Sequence, residues 1–68
     1  MKNGVLIYWN NAKFYGFVRE DNSDAEYFSH GTNFLYQFPK EGDLVSFSTE
    51  LNRKKEGYQE QAVQIKKL

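Results

Sequence analysis

Aromatic side chains are the residues of this sequence whose types and spacing could support binding of a flat ligand. In residues 13–18, Gly16 separates Tyr15 from Phe17. On a β-strand this spacing places the two rings side by side on one face, with no side chain between them. Stacked nucleobases require a surface of this kind. The segment therefore predicts a base-stacking surface; the alternative is that both rings face the core and Val18 faces outward.

A second aromatic segment, residues 27–30, predicts a neighbouring strand on which Phe28 and His30 share a face. The imidazole of His30 could stack on a base or donate a hydrogen bond to it, and a purely structural role is the alternative. Trp9, at the end of the first predicted strand, is a further candidate for the same surface. Its alternative is burial against the long loop.

The number of rings indicates that several of them lie at the surface. Twelve of the 68 residues are aromatic, and each enclosed ring buries about 150–250 Å². A domain of this length has an unfavourable ratio of surface to volume, and its core is small. We therefore expect an exposed apolar patch, and such patches usually mark binding sites.

Charge and composition limit the other classes of function. Nine basic and nine acidic residues cancel, whereas phosphate binding usually appears as an excess of basic residues. Among the candidates for phosphate contacts, Lys13 is the cation best placed beside the aromatic segment; the other candidates are Arg53, Lys54, Lys55, Lys66 and Lys67. The sequence has one histidine and no cysteine, and the pair Asp21 and Asp24 falls in a predicted turn. We therefore expect neither an enzyme nor a metal or cofactor site.

The sequence has no long apolar segment, so we also expect a cytoplasmic protein that does not enter membranes.

The pattern along the chain predicts one domain, residues 1–68, built mainly from strands. A turn signal follows each of the first two strands. The last segment, residues 58–68, is ambiguous, because helical spacing and strand alternation both fit it. The predicted strands cover residues 4–9, 14–19, 25–30 and 43–51, and residues 31–42 form a long loop with one helical turn.

The same segments resemble the cold-shock domain family over nearly the whole chain. Residues 4–10 resemble its tryptophan-bearing opening strand. Residues 13–18 and 27–30 resemble its two ribonucleoprotein motifs. Residues 41–47 match its fourth strand, and residues 57–63 resemble its fifth, which favours a strand for the ambiguous tail.

The resemblance implies an all-β fold, a five-stranded antiparallel Greek-key barrel of the OB type. It also implies binding of single-stranded RNA or DNA with weak sequence preference, the role of an RNA chaperone, and a monomer or weak dimer. The residues that match stacking positions of the family are Trp9, Tyr15, Phe17, Phe28 and His30. Polar or phosphate contacts fall to Lys13, Asn11 and Gln59. In the long loop the matching ring is Phe38, with Phe34 or Tyr36 as alternatives.

Several positions depart from the family pattern. Tyr8, included among the predicted binding residues, occupies a lysine position. Asn10 and Gly31 occupy aromatic positions, Tyr58 a proline position, and Phe14 a position usually held by glycine or a polar residue. These departures and the zero net charge leave an alternative hypothesis open, in which the barrel uses its exposed rings to dock a partner protein.

Overall fold

The computed structural model describes residues 1–51 and 60–68 and has five strands. The strands are β1 (Lys2–Asn10), β2 (Tyr15–Glu20), β3 (Glu26–His30), β4 (Leu44–Leu51) and β5 (Glu60–Lys67). Antiparallel ladders join β1 to β2, β2 to β3, β1 to β4, and β4 to β5. A single parallel bridge, Phe28 with Gln61, joins β3 to β5 and closes the barrel in the order β1-β2-β3-β5-β4. The predicted all-β, five-stranded barrel of the OB kind is confirmed, and its closing pair is parallel.

The core lies inside the barrel and consists of apolar side chains from four of the strands. On β2, burial alternates as the sequence predicts, because Gly16 and Val18 point inward while Tyr15 and Phe17 do not. Trp9, Tyr27, Phe34 and Tyr36 are partly buried and pack against this core. The fully buried members are Leu6, Val18, Val45, Phe47, Ala62 and Ile65.

The ambiguous tail is a strand in its described part, and β5 continues to Lys67. The first residues of the predicted fifth strand, 57–59, lie outside the described residues. The predicted helical turn in the long loop is confirmed as a single 3-10 turn, η1 (Gly31–Asn33). Within residues 1–51 and 60–68, no helix has the length and apolarity needed to cross a membrane.

A β-bulge in β1 determines which residues of that strand face the core. Leu6 pairs with Val18, but the next pair is Tyr8 with Phe17, so Ile7 is an extra residue on β1. The alternation is shifted by this residue. Tyr8 therefore lies outside beside Phe17, and Trp9 lies on the inner side opposite Gly16.

Candidate functional site

The outer faces of β2 and β3 carry a cluster of rings. Phe17 pairs with Phe28 across the two strands, and their ring centroids are 6.0 Å apart. Tyr15 stacks on Phe28 at 5.5 Å, with an angle of 25° between the ring planes. Together with Tyr8 and His30, these residues form what we call the sheet platform.

Tyr8 reaches the platform because of the bulge. Its ring lies 5.9 Å from Tyr15 and 6.2 Å from Phe17, and its hydroxyl accepts a hydrogen bond from the side-chain amide of Asn10 at 3.2 Å. The neighbouring Tyr8 phenol raises the pKa of Tyr15 above its ordinary value of 10.0, with further contributions from burial and a hydrogen bond with Tyr8. The Tyr15 phenol therefore stays protonated well above neutral pH.

His30 has a structural contact and remains half-exposed at the end of the platform. Its Nδ1 accepts a hydrogen bond from the backbone N–H of Thr32 at 3.2 Å and so caps η1. This contact fixes the orientation of the ring, and Nδ1 also lies 2.9 Å from Thr32 Oγ1. The structural and the binding roles considered for His30 are thus compatible in one geometry.

Trp9 lies at the wall of a second feature, which we call the loop cleft. This cleft of about 460 Å³ opens between the turn after β1 and the loop after η1, with Trp9, Phe14, Phe34, Tyr36 and Phe38 among its lining residues. The rings of Trp9 and Phe34 are 5.1 Å apart, edge to face, and Phe34 contacts Tyr36 at 5.7 Å. Trp9 packs against the long loop and the core, yet one part of it lines the cleft.

Among the three loop aromatics, Phe38 is the most exposed. Its side chain is 84% exposed, and its backbone has φ 59°. Phe34 and Tyr36 are half-buried. The loop is held by the buried Asp43, which accepts hydrogen bonds from the Tyr36 hydroxyl at 2.9 Å and from the Lys40 backbone N–H at 3.0 Å. Phe38 is therefore presented on an anchored loop at the rim of the cleft.

Phe14 is a part of this surface that the sequence did not predict. Its ring is 47% exposed and contacts Trp9 at 5.8 Å and His30 at 5.9 Å. The predicted strand 14–19 included Phe14, but the structure places this residue in the turn that precedes β2, so strand alternation does not describe where its ring lies. Its position directly before the Tyr15-Gly16-Phe17 triplet is the signal that could have identified it.

The predicted polar contacts lie at the turn after β1. Asn11 and Lys13 are exposed there, and Asn11 also lines the loop cleft. The side-chain oxygen of Asn10 accepts a hydrogen bond from the Lys13 backbone N–H at 3.0 Å and so orders the turn. Gln59 lies outside the described residues.

Acidic residues near the site do not converge. Asp21 and Asp24 are exposed in the β2–β3 turn, and in residues 1–51 and 60–68 no group of three potential metal ligands comes together. The carboxylate of Glu20 on β2 has structural partners: it forms an ion pair with Lys2 at 3.3 Å and accepts a hydrogen bond from Tyr27 at 3.1 Å. In the described residues, the platform and the cleft are thus the features best suited to bind a ligand.

The chain matches no protein-family model and no curated protein. The sequence resemblance and the geometry of the two aromatic features are therefore what an assignment of function can draw on.

Proposed function

We propose that this protein binds single-stranded nucleic acid by stacking nucleobases on the sheet platform and in the loop cleft. The observation that carries the proposal is the exposure of so many rings on one side of a small barrel. Tyr8, Phe14 and Phe38 are 38%, 47% and 84% exposed, and Tyr15, Phe17 and Phe28 are only half-buried. Apolar surface left open to water in this way usually serves binding.

The platform brings several flat rings together on the outer face of the sheet. Tyr15 and Phe17 lie on the same side of β2 because Gly16 between them points inward, and the ring planes of Tyr15 and Phe28 differ by only 25°. Each stacked base contributes roughly 1–3 kcal/mol, and stacking tolerates any base because every base has a π-face. Several such contacts can support binding with little contribution from charge.

The resemblance of the sequence to cold-shock domains supports the same proposal and extends it. It suggests RNA or DNA as ligand, an RNA-chaperone activity in the cytoplasm, and no catalytic step. The strands that the resemblance assigns to binding are β2 and β3, which carry most of the platform. A protein-docking role for the same rings is the outcome to be distinguished by experiment.

Fluorescent oligothymidine and oligouridine titrations at low salt test the proposal. We expect micromolar or tighter binding by the wild-type protein and loss of that binding in the double variant F17A/F28A. The control is L44A on β4, a strand that contributes no ring to the platform and where the side chain is 58% exposed. Absence of wild-type binding to both oligonucleotides would refute the proposal and favour protein docking.

A further inference from the structure

Phe14 and Gly31 occupy facing positions just beyond the β2–β3 ladder. The last ladder pair is Tyr15 with His30, and next to it the Gly31 backbone N–H donates a hydrogen bond to the Phe14 carbonyl at 2.8 Å. The Phe14 ring crosses over Gly31: a Cβ atom on residue 31 would lie 2.4 Å from Phe14 Cδ2. Only glycine at position 31 therefore leaves room for this ring, because the Cβ atom of any other residue would collide with it.

The backbone of Phe14 adopts a conformation that bulky residues rarely take. Its φ is 59°, and its N–H donates to the Asn10 carbonyl at 2.8 Å, so it ends the turn in a position where glycine is the usual residue. A bulky residue persists in this left-handed conformation only where surrounding contacts compensate for the strain. Here the strain places a large ring where glycine would leave an open surface.

The ring of Phe14 lies between the two aromatic features. It meets His30 of the sheet platform on one side and Trp9 of the loop cleft on the other, both edge to face. His30 in turn lies 6.5 Å from Phe28, and Trp9 lies 5.1 Å from Phe34. The rings thus follow one another from the outer face of the sheet into the cleft.

We propose that Phe14, seated on Gly31, joins platform and cleft into one binding track, so that a single oligonucleotide strand runs continuously from one to the other. Phe14 then determines how strongly the protein prefers strands long enough to occupy both features. This inference rests on the proposed function and specifies its ligand: a single strand longer than the platform alone can hold. OB-type domains bind about 4–16 nucleotides, so the range of lengths to test is accessible.

The test compares the dissociation constants of short oligothymidines, about three nucleotides long, with those of longer ones of about eight nucleotides. We expect the wild-type protein to bind the longer strands more tightly than the short ones. In F14G the ratio of the short-strand to the long-strand dissociation constant should fall at least about fivefold, the lower limit for one stacked base. Glycine adopts the left-handed conformation freely, so F14G keeps the turn. F17A is the matched contrast: it should weaken short and long strands by the same factor.

The possible results separate the two proposals. No binding of either length by the wild-type protein would refute the proposed function itself. Wild-type binding that gains with length, together with an F14G variant that keeps the full gain, would overturn the role of Phe14 and leave the proposed function intact. Equal losses by F14G on both lengths would overturn it as well.

The packing of the Phe14 ring on Gly31 can be tested without a ligand. G31A should lower the midpoint temperature of thermal unfolding in the wild-type background, because its Cβ would collide with the Phe14 ring. In the F14G background the same substitution should lower the midpoint clearly less. Equal shifts in the two backgrounds would show that the position of the Phe14 ring does not depend on Gly31 and would overturn the packing of one on the other.

Discussion

At the scale of single residues, Tyr36 connects the loop to the barrel through one hydroxyl group. It donates a hydrogen bond to the buried carboxylate of Asp43, which also lies 3.9 Å from the Lys67 ammonium. Burial raises the pKa of Tyr36 far above its usual value of 10.0, and the hydrogen bond to Asp43 and the negative charge of Asp43 raise it further. The loop is thus held by a phenol that must stay protonated.

This contact predicts a loss of stability at alkaline pH. Because the pKa of Tyr36 is higher in the folded than in the unfolded chain, its stabilising contribution is complete below about pH 10 and falls as the pH rises further. Tyr27 adds to the effect in the same direction, since burial and the Glu20 carboxylate raise its pKa as well. We expect the urea midpoint, followed by circular dichroism, to fall between about pH 10 and 12.

The matched variant is Y36F, which lacks the titrating group. Its midpoint, expressed relative to its own value at pH 8, should fall less steeply than that of the wild-type protein. At pH 8 itself, Y36F should be less stable by roughly 1–2 kcal/mol, because the Asp43 carboxylate loses a donor. Identical alkaline profiles for both proteins would contradict the assigned role of Tyr36.

At the scale of elements, β1 and β2 approach each other closely at Gly16. A Cβ atom on this residue would lie 2.1 Å from the Tyr8 carbonyl oxygen and 3.0 Å from Trp9 Cε3. Gly16 therefore admits the bulged part of β1, because any side chain at this position would point inward against Tyr8 and Trp9.

We expect G16A to destabilise the fold by roughly 1–3 kcal/mol or more, because the methyl group would force β1 and β2 apart. Thermal and urea unfolding measure the loss. L44A, an exposed substitution on β4, should change the free energy of unfolding by less than about 0.5 kcal/mol. A G16A variant as stable as the wild-type protein would mean that the close approach of the two strands has no energetic consequence.

The elements also show what could be read from the sequence and what could not. Alternation along residues 15–18 correctly predicted which face of β2 is buried, since that pattern needs only one strand. The placement of Tyr8 outside and Trp9 inside depends on the extra residue Ile7, and a bulge exists only relative to a partner strand. The ring of Phe14 over Gly31 joins residues 17 positions apart in the chain, and no local periodicity reports such a contact.

At the scale of the whole molecule, the described part of the aromatic surface has little accompanying positive charge. The formal net charge at pH 7 is zero. In the described part of the chain, Lys13 is the cation on the turn that borders the loop cleft, and Glu41 of the loop after η1 accepts a hydrogen bond from the Trp9 backbone N–H at 3.3 Å. A carboxylate so close to the cleft offsets the attraction that Lys13 exerts on phosphates.

This balance predicts binding that depends weakly on salt. Each phosphate neutralised on a single strand contributes about 0.7 to the slope of log affinity against log salt. With one or two phosphates contacted, affinity should fall only about three- to sevenfold between 50 and 200 mM salt. The slope is obtained by repeating the oligothymidine titrations at four or more salt concentrations.

Two variants distinguish the sources of any slope that is found. K13Q should reduce its magnitude by about 0.7 if Lys13 contacts one phosphate, whereas F28A should lower affinity at every salt concentration and leave the slope unchanged, because stacking releases no counterions. Arg53, Lys54 and Lys55 lie outside the described residues, and their replacement by glutamine measures what they add. A wild-type slope steeper than about −2, equivalent to three or more phosphates, would mean that charge, and not stacking, dominates the affinity of this barrel.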